Sequence, residues 1–186
     1  ATIDSVLDPV TGGRISLDDH WSTLIGNVRI SYGLGDQTRL FAGVSQGFRA
    51  PNVSDLSRFD SSRSNEFEIP APGLEPERYV TYEFGMKLRK DVLDLQASWF
   101  YTTINDMIIR FPTGLVRDGE FEITKSNVGE GFVRGIELDG EWTILPDTSL
   151  RATFTWMDGE VDTYPSSVQL ATREPIDRLM PLTASL

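Results

Sequence analysis

Residues 79–101 read YVTYEFGMKLRKDVLDLQASWFY, and the fold turns on how they alternate. Val80, Tyr82, Phe84, Met86 and Leu88 take every second position, with Thr81, Glu83, Gly85, Lys87 and Arg89 between them. Beyond Lys90-Asp91, Leu93, Leu95, Ala97, Trp99 and Tyr101 oppose Asp94, Gln96 and Ser98. A period of two with one apolar and one polar face marks a β-strand, and Lys90-Asp91 is short enough for a hairpin turn. A two-residue turn there pairs Arg89 with Val92. It sets Lys87 opposite Asp94, Met86 opposite Leu95 and Phe84 opposite Ala97, so like faces meet.

The same alternation extends outward along the chain. Leu24, Gly26, Val28, Ile30, Tyr32 and Leu34 share one face, and Leu40, Ala42 and Val44 another. Further on come Ile136, Leu138, Trp142 and Ile144, then Leu150, Ala152, Phe154 and Trp156. This predicts about six strands, with MPLTASL at 180–186 starting a seventh. A three-residue turn at 35–37 pairs Leu34 with Thr38, Tyr32 with Leu40 and Ile30 with Ala42. A four-residue turn at 145–148 would mix the faces, so Ser149 is placed in the turn or a bulge, with Ile144 facing Leu150 and Trp142 facing Ala152. The other three connections, roughly 49–78, 104–131 and 158–179, are long, and long loops in a compact domain usually have a job.

Composition narrows the function. The 186 residues carry 28 acidic and 17 basic side chains, a formal charge of -11, which argues against a nucleic-acid partner. There is no Cys and a single histidine, His20, which leaves little room for thiolate or histidine metal sites and for catalytic triads. No run approaches the ~18 apolar residues of a spanning helix. The chain starts at Ala1 without an initiator Met or a signal peptide, and is expected to be a piece of a larger protein.

Two architectures fit alternating strands: a soluble antiparallel sandwich and a transmembrane β-barrel. Charges at mid-strand on the polar faces suit a wet lumen. Spans of about ten residues exceed the usual five or six. Tyr82, Trp99, Tyr101 and Trp156 gather toward the long-loop end, and Trp142 and Tyr32 nearer the short turns, as two aromatic girdles would. Short turns at one end and long loops at the other complete the barrel reading.

The loops carry a family resemblance. Ser45, Gly47, Phe48, Arg49, Ala50, Pro51 and Leu56 match a strand ending like SxGFRAPxxxxL. APGLEPERYVTYEFGMK, with Pro72, Leu74, Pro76, Glu77, Tyr82, Glu83, Gly85 and Lys87, matches a segment like NPxLxPExxxxYExGxK. Asp106-Met107-Ile108 and then Asn127, Val128, Gly129, Gly135 and Glu137 follow in order. The sequence thus resembles the barrel portion of TonB-dependent outer-membrane receptors over essentially its whole length. The resemblance implies an all-β fold: an antiparallel transmembrane barrel fragment, about six or seven strands of a barrel of about 22, with short periplasmic turns and long extracellular loops. It implies the bacterial outer membrane, no covalent chemistry and no cofactor. The implied activity is energised import of a scarce solute, a ferric siderophore before haem or cobalamin. The implied partners are outer-membrane lipid, the receptor's own plug domain, TonB acting through that plug, and the extracellular iron chelate.

Several residues are candidates for solute contact: Arg49, Arg58, Arg63, Tyr79, Tyr101, Arg110, Phe111 and Arg117. Guanidinium groups suit the carboxylates, catecholates or hydroxamates of an anionic chelate, and aromatic faces suit planar groups. The plainer reading has loop arginines balancing neighbouring acids such as Asp55, Asp60 and Asp118. Pro51 removes a ladder donor and stops its strand. Gly43, Gly47, Gly85 and Gly135 fall on the polar, inner face, where the expectation is close approach of the plug. The haem branch would place a histidine between the first two motifs, and residues 52–71 contain none. Asp158, Glu160 and Asp162, and Asp18 with Asp19, lack the spacing of a calcium loop and read as solvated charge. An outer-membrane enzyme and a soluble carbohydrate- or protein-binding β module are the readings from other classes.

Overall fold

The computed structural model describes residues 2–7, 12–18, 20–63, 65–176 and 182–185. A small hairpin of β1 (Thr2–Leu7) and β2 (Arg14–Asp18) precedes the main sheet. The first main hairpin is β3 (Asn27–Leu34) and β4 (Thr38–Arg49). The chain then passes through α1 (Val53–Ser57), β5 (Asp60–Arg63) and β6 (Glu66–Glu68). It returns as β7 (Glu77–Lys90), β8 (Leu93–Arg117), β9 (Glu120–Leu145) and β10 (Thr148–Thr163). The order is β3-β4-β7-β8-β9-β10, antiparallel throughout, and this path does not close on itself. β11 (Thr172–Pro175) and β12 (Leu182–Ser185) both pair with β10, β12 being the seventh strand foreseen at 180–186.

The registers test the turns. The turn at 35–37 gives Leu34 opposite Thr38, Tyr32 opposite Leu40 and Ile30 opposite Ala42, as predicted. The second turn is Asp91-Val92, one residue later than Lys90-Asp91. Lys87 therefore faces Gln96 rather than Asp94, Met86 faces Ala97 and Phe84 faces Trp99. The slip is two residues, which keeps parity and so was invisible to face matching; it lets Arg89 meet Asp94 at 2.9 Å. At the third turn the predicted irregularity is present, but the shift lies between Thr148 and Ser149 opposite Leu145 and Thr143. Ile144 is the extra residue, and Trp142 faces Leu150 instead of Ala152.

One face of the sheet is apolar and open. Ile30 is 68% exposed, Tyr32 70% and Phe84 55%, with Val44, Trp99, Leu138, Trp142 and Trp156 on the same face. A sandwich would cover this face with a second sheet, and none lies there among the described residues. Its rows run from Leu93 to Tyr101 along β8, which at ~3.3 Å per residue and a tilt near 40° is roughly 20 Å, close to the apolar band of a membrane barrel.

The opposite face is polar, with ion pairs Arg29–Glu83 at 2.5 Å and Asp139–Arg151 at 3.1 Å. Here two glycines act differently from the expectation of plug contact. Gly85 stands opposite Phe41, and Gly135 opposite Phe100. A Cβ on Gly85 would lie 2.3 Å from the Phe41 ring and 2.5 Å from the Ala97 carbonyl oxygen; one on Gly135 would lie 2.7 Å from the Phe100 ring. The neighbouring strand's aromatic ring already fills each vacancy, and Arg29 caps Phe41 at 4.8 Å.

The greatest departure is at 104–131. The predicted loop is a continuation of the β8–β9 ladder, interrupted by register shifts at Ile104/Met107, Met107/Ile108 and Pro112/Val116. It closes at Asp118-Gly119, both at positive φ (51° and 90°), the two-residue geometry that Asp-Gly favours. Likewise 158–179 contains the end of β10 and β11.

Candidate functional site

The long-loop end holds a compact assembly. β4 stops at Arg49 because Pro51 donates no ladder bond, and Asn52 then caps α1. Its side chain accepts from the Asp55 amide at 2.9 Å, while the Asp55 carboxylate accepts from the Asn52 amide at 3.1 Å, a reciprocal capping box. The cap drives Leu56 inward to full burial, where it meets Ala71, Leu74 and Ile108, with Trp21 against the cluster. β6 lies parallel to the extension of β9, Glu66 beside Phe121 and Glu68 beside Ile123.

Arg49 is the centre of this assembly. It faces Glu77 across the β4–β7 ladder and donates to it twice, at 2.8 and 2.6 Å, while its third nitrogen donates to Asp55 at 2.9 Å. Glu77, 3% exposed, also accepts from the Tyr79 hydroxyl and from the Ile108 amide at 2.9 Å. Asp55 accepts from Lys125 at 2.8 Å. The chain of charges continues from Lys125 to Glu68 at 3.6 Å, to Arg58 at 3.6 Å and to Asp60 at 2.9 Å.

Charge balance fixes the protonation states. Burial pushes the Glu77 carboxyl up, but the bonds from Arg49, Tyr79 and Ile108 outweigh it and hold the group below its ordinary value. Burial likewise raises Asp55, and Lys125, the Asn52 amide and Arg49 bring it below the usual range. The Glu77 bond raises Arg49 further against burial. Burial and then the Glu77 carboxylate push Tyr79 up to about 12, so its hydroxyl stays a donor.

A second clasp joins three motifs. The Asn127 side chain donates to the backbone carbonyls of Asp106 at 2.8 Å and Glu75 at 2.7 Å, and accepts from the Glu75 amide at 2.8 Å. Asp106 sits at the β8 irregularity with φ 56°. The DMI, NVG and PE motifs thus meet at one asparagine.

The candidate contacts divide. Arg49 and Tyr79 lie inside the first clasp, and Arg58 links Glu68 to Asp60 at the far end of its charge chain. Arg110 pairs with Glu66, which also accepts from Ser166. Phe111 packs edge-on against Tyr164 at 5.0 Å. Arg117 reaches Glu122 at 3.3 Å and covers Phe67 and Phe59 at 5.4 and 5.8 Å. Tyr101 stacks between Trp99 and Phe132 on the apolar face, away from the loop assembly. The side chain of Arg63 lies outside the described residues.

Among the motif positions, Phe48 and Tyr82 point to the apolar side, Glu83 holds Arg29, and Glu137 is exposed on the polar face. His20 is exposed, and no cluster suited to a metal ion occurs among the described residues. Asp158 holds Arg134 at 2.8 Å and Asp162 holds Arg173 at 3.1 Å. Sequence reasoning missed Lys125, Glu68, Glu122, Phe59 and Phe67. Only the Asn52-to-Asp55 capping spacing and Asp118-Gly119 signalled any of this locally.

The architecture is a polar-lined, lipid-faced sheet whose long-loop end is fastened by the motif residues themselves. A family model described as TonB dependent receptor-like, beta-barrel, matches residues 4–186. The chain belongs to the TonB-dependent receptor family. Its sheet is therefore a segment of an outer-membrane barrel, with the apolar face toward lipid, the polar face toward the lumen and the clasped loops extracellular. Transferrin-binding protein A of Neisseria gonorrhoeae is 28% identical over 145 residues, covering 73% of this chain and 15% of that protein. The pesticin receptor of Yersinia pestis is 28% identical over 131 residues, 68% of this chain and 17% of that protein. The crystal structure of the siderophore receptor PirA from Pseudomonas aeruginosa superposes with a TM-score of 0.58 at 20% identity, over 74% of this chain and 30% of PirA. The TonB-dependent receptor segment thus spans 15–17% of the length of these two curated relatives.

Proposed function

We propose that the receptor containing this segment imports a scarce solute across the outer membrane, a ferric siderophore, with energy delivered by TonB through a plug domain in the lumen. The observation that carries this reading is the extracellular assembly, a loop cluster anchored to a membrane strand through Arg49 and Glu77. Such anchoring gives a binding surface a fixed geometry above the barrel mouth. Arg117 over Phe59 and Phe67, with Phe111 and Tyr164 nearby, combines guanidinium and aromatic faces of the kind an anionic planar chelate uses. Arg58 and Arg110 lie in the same assembly. The siderophore receptors named PirA of Acinetobacter baumannii and Pseudomonas aeruginosa support a siderophore by kinship.

The test is uptake of radiolabelled ferric siderophores by cells grown under iron limitation, with the intact gene and with it deleted. Loss of uptake of one siderophore class on deletion is the expected result. Unchanged uptake of every ferric siderophore, with haem or cobalamin uptake lost instead, would move the receptor to a different solute.

A further inference from the structure

The lumen face carries two cations that no carboxylate of the segment answers, Lys87 having only the Phe41 ring at 5.9 Å. Arg39 and Lys87 stand directly opposite each other on β4 and β7, and like charges so placed repel. The other lumen-facing cations nearby are matched: Arg29 by Glu83 at 2.5 Å, Arg89 by Asp94 at 2.9 Å, Arg151 by Asp139 at 3.1 Å. Among the described residues neither Arg39 nor Lys87 has a carboxylate within 4.0 Å. The next lumen residue beyond Lys87 is Gln96, and Gly33 beyond Arg39 offers no side chain. Both cations are exposed. They line a hollow of about 240 Å³ beside the 35–37 turn, shared with Asp36 and the Arg89–Asp94 pair.

We propose that Arg39 and Lys87 form a docking site for a carboxylate of the receptor's own plug, at the periplasmic end of the lumen. The inference rests on the receptor reading above, which supplies the plug. Charge complementarity selects the chemistry: one carboxylate between the two side chains removes the repulsion and uses the fork of Arg39. Position selects a resident partner over the transported solute. Arg39 is ten residues from Arg49 along β4, about 33 Å of strand from the extracellular assembly, beside a periplasmic turn.

Zero-length carbodiimide cross-linking of the full-length receptor in detergent tests the site, because it joins an amine only to a carboxylate in contact with it. The expected product is an amide between the Lys87 ε-amine and an Asp or Glu of the plug, found by peptide mass spectrometry. Arg39→Gln should lower its yield severalfold, and Arg39→Lys should share the cross-link between positions 39 and 87. Lys87 joined only to Asp36 or Asp94, to another protein, or to nothing would overturn the proposal. Solute uptake by the same preparation's parent cells is scored separately: retained uptake with a failed cross-link removes the docking site and leaves the import reading standing. Heat-modifiable gel mobility confirms that each variant has an assembled barrel.

Discussion

Strand β8 is two structures in one. Up to Ile104 each residue has its partner on β9 in unbroken register; from there to Arg117 the register shifts three times. The lower part faces lipid and lumen, and its backbone ladder satisfies every polar group that a membrane would leave orphaned. The upper part stands in water, where exposed backbone costs little, so it is held by particular contacts: the Ile108 amide on Glu77, Asn127 on Asp106, the Leu56 core. Periodic sequence specifies the first kind of stability, and single residues specify the second.

The sharpest way to break this contrast is to remove the shared acceptor of the upper part. Glu77→Ala leaves Arg49, Tyr79 and the Ile108 amide without their carboxylate. Stripping one partner from a buried ion pair costs about 3–5 kcal/mol, and the partial exposure of Arg49 places the effect near the lower figure. Hydrogen exchange should speed up across residues 52–76 and 105–110 while residues 93–103 and heat-modifiable mobility stay unchanged. Equal loosening of both parts would show that they are one cooperative unit.

The counterpart in the membrane part is Gly85→Ala. The added methyl meets the Phe41 ring and, less avoidably, the Ala97 carbonyl oxygen, an overpacking penalty of about 1–3 kcal/mol. The measurement is the yield of assembled, heat-modifiable barrel, with the loops keeping wild-type exchange. Adding Phe41→Ala should recover part of that yield by freeing the ring side of the clash. A neutral Gly85→Ala would mean the ring is not seated on the glycine.

These two sites also show what the sequence could tell. Alternation along β7 and β8 revealed the faces because burial in lipid repeats every second residue, and a two-residue register slip preserves that parity. It could not reveal that Gly85 serves Phe41, since the information lies in a strand some forty positions earlier. The motif around Arg49 marked a strand end and a loop start correctly. That Arg49 would be spent on Glu77 and Asp55 depended on the register of β4 against β7 and on the cap at Asn52. The β8–β9 extension was missed because its bulges and its packing on both sides erase the period, although Asp118-Gly119 stood as an unused turn signal.

Acid should loosen the extracellular part selectively. Asp55 and Glu77 are held below their ordinary values, so their folded forms bind protons less readily than the unfolded chain does. Their contribution is complete above the ordinary carboxylate range near pH 4 and is lost as pH falls through the lower folded values. Exchange across 52–76, followed from pH 6 to pH 3, should rise before that of the membrane strands. In Glu77→Gln the onset should weaken, because one of the two titrating groups is gone.

At the alkaline end Tyr79 offers a smaller, separate signal. Its pKa is pushed up to about 12, so the bond it donates to Glu77 persists below the ordinary tyrosine value near 10 and is lost as pH rises through the folded one. Spectrophotometric titration should show one tyrosine ionising late, and Tyr79→Phe should remove that step. The variant should cost about 1 kcal/mol, the worth of one hydrogen bond, read by loop exchange.

The smallest effect belongs to the periplasmic turn, where Arg89 and Asp94 pair at 2.9 Å but are 85% and 51% exposed. Exposed pairs contribute about 0.2–1 kcal/mol, so Arg89→Ala should leave both assembly yield and loop exchange near wild type. The same substitution probes Asp94's commitment. Freed from Arg89, its carboxylate becomes available to Lys87 across the hollow, and carbodiimide should then trap a Lys87–Asp94 amide that is minor in the parent receptor. A turn pair with little thermodynamic weight would thus still govern which carboxylate Lys87 meets.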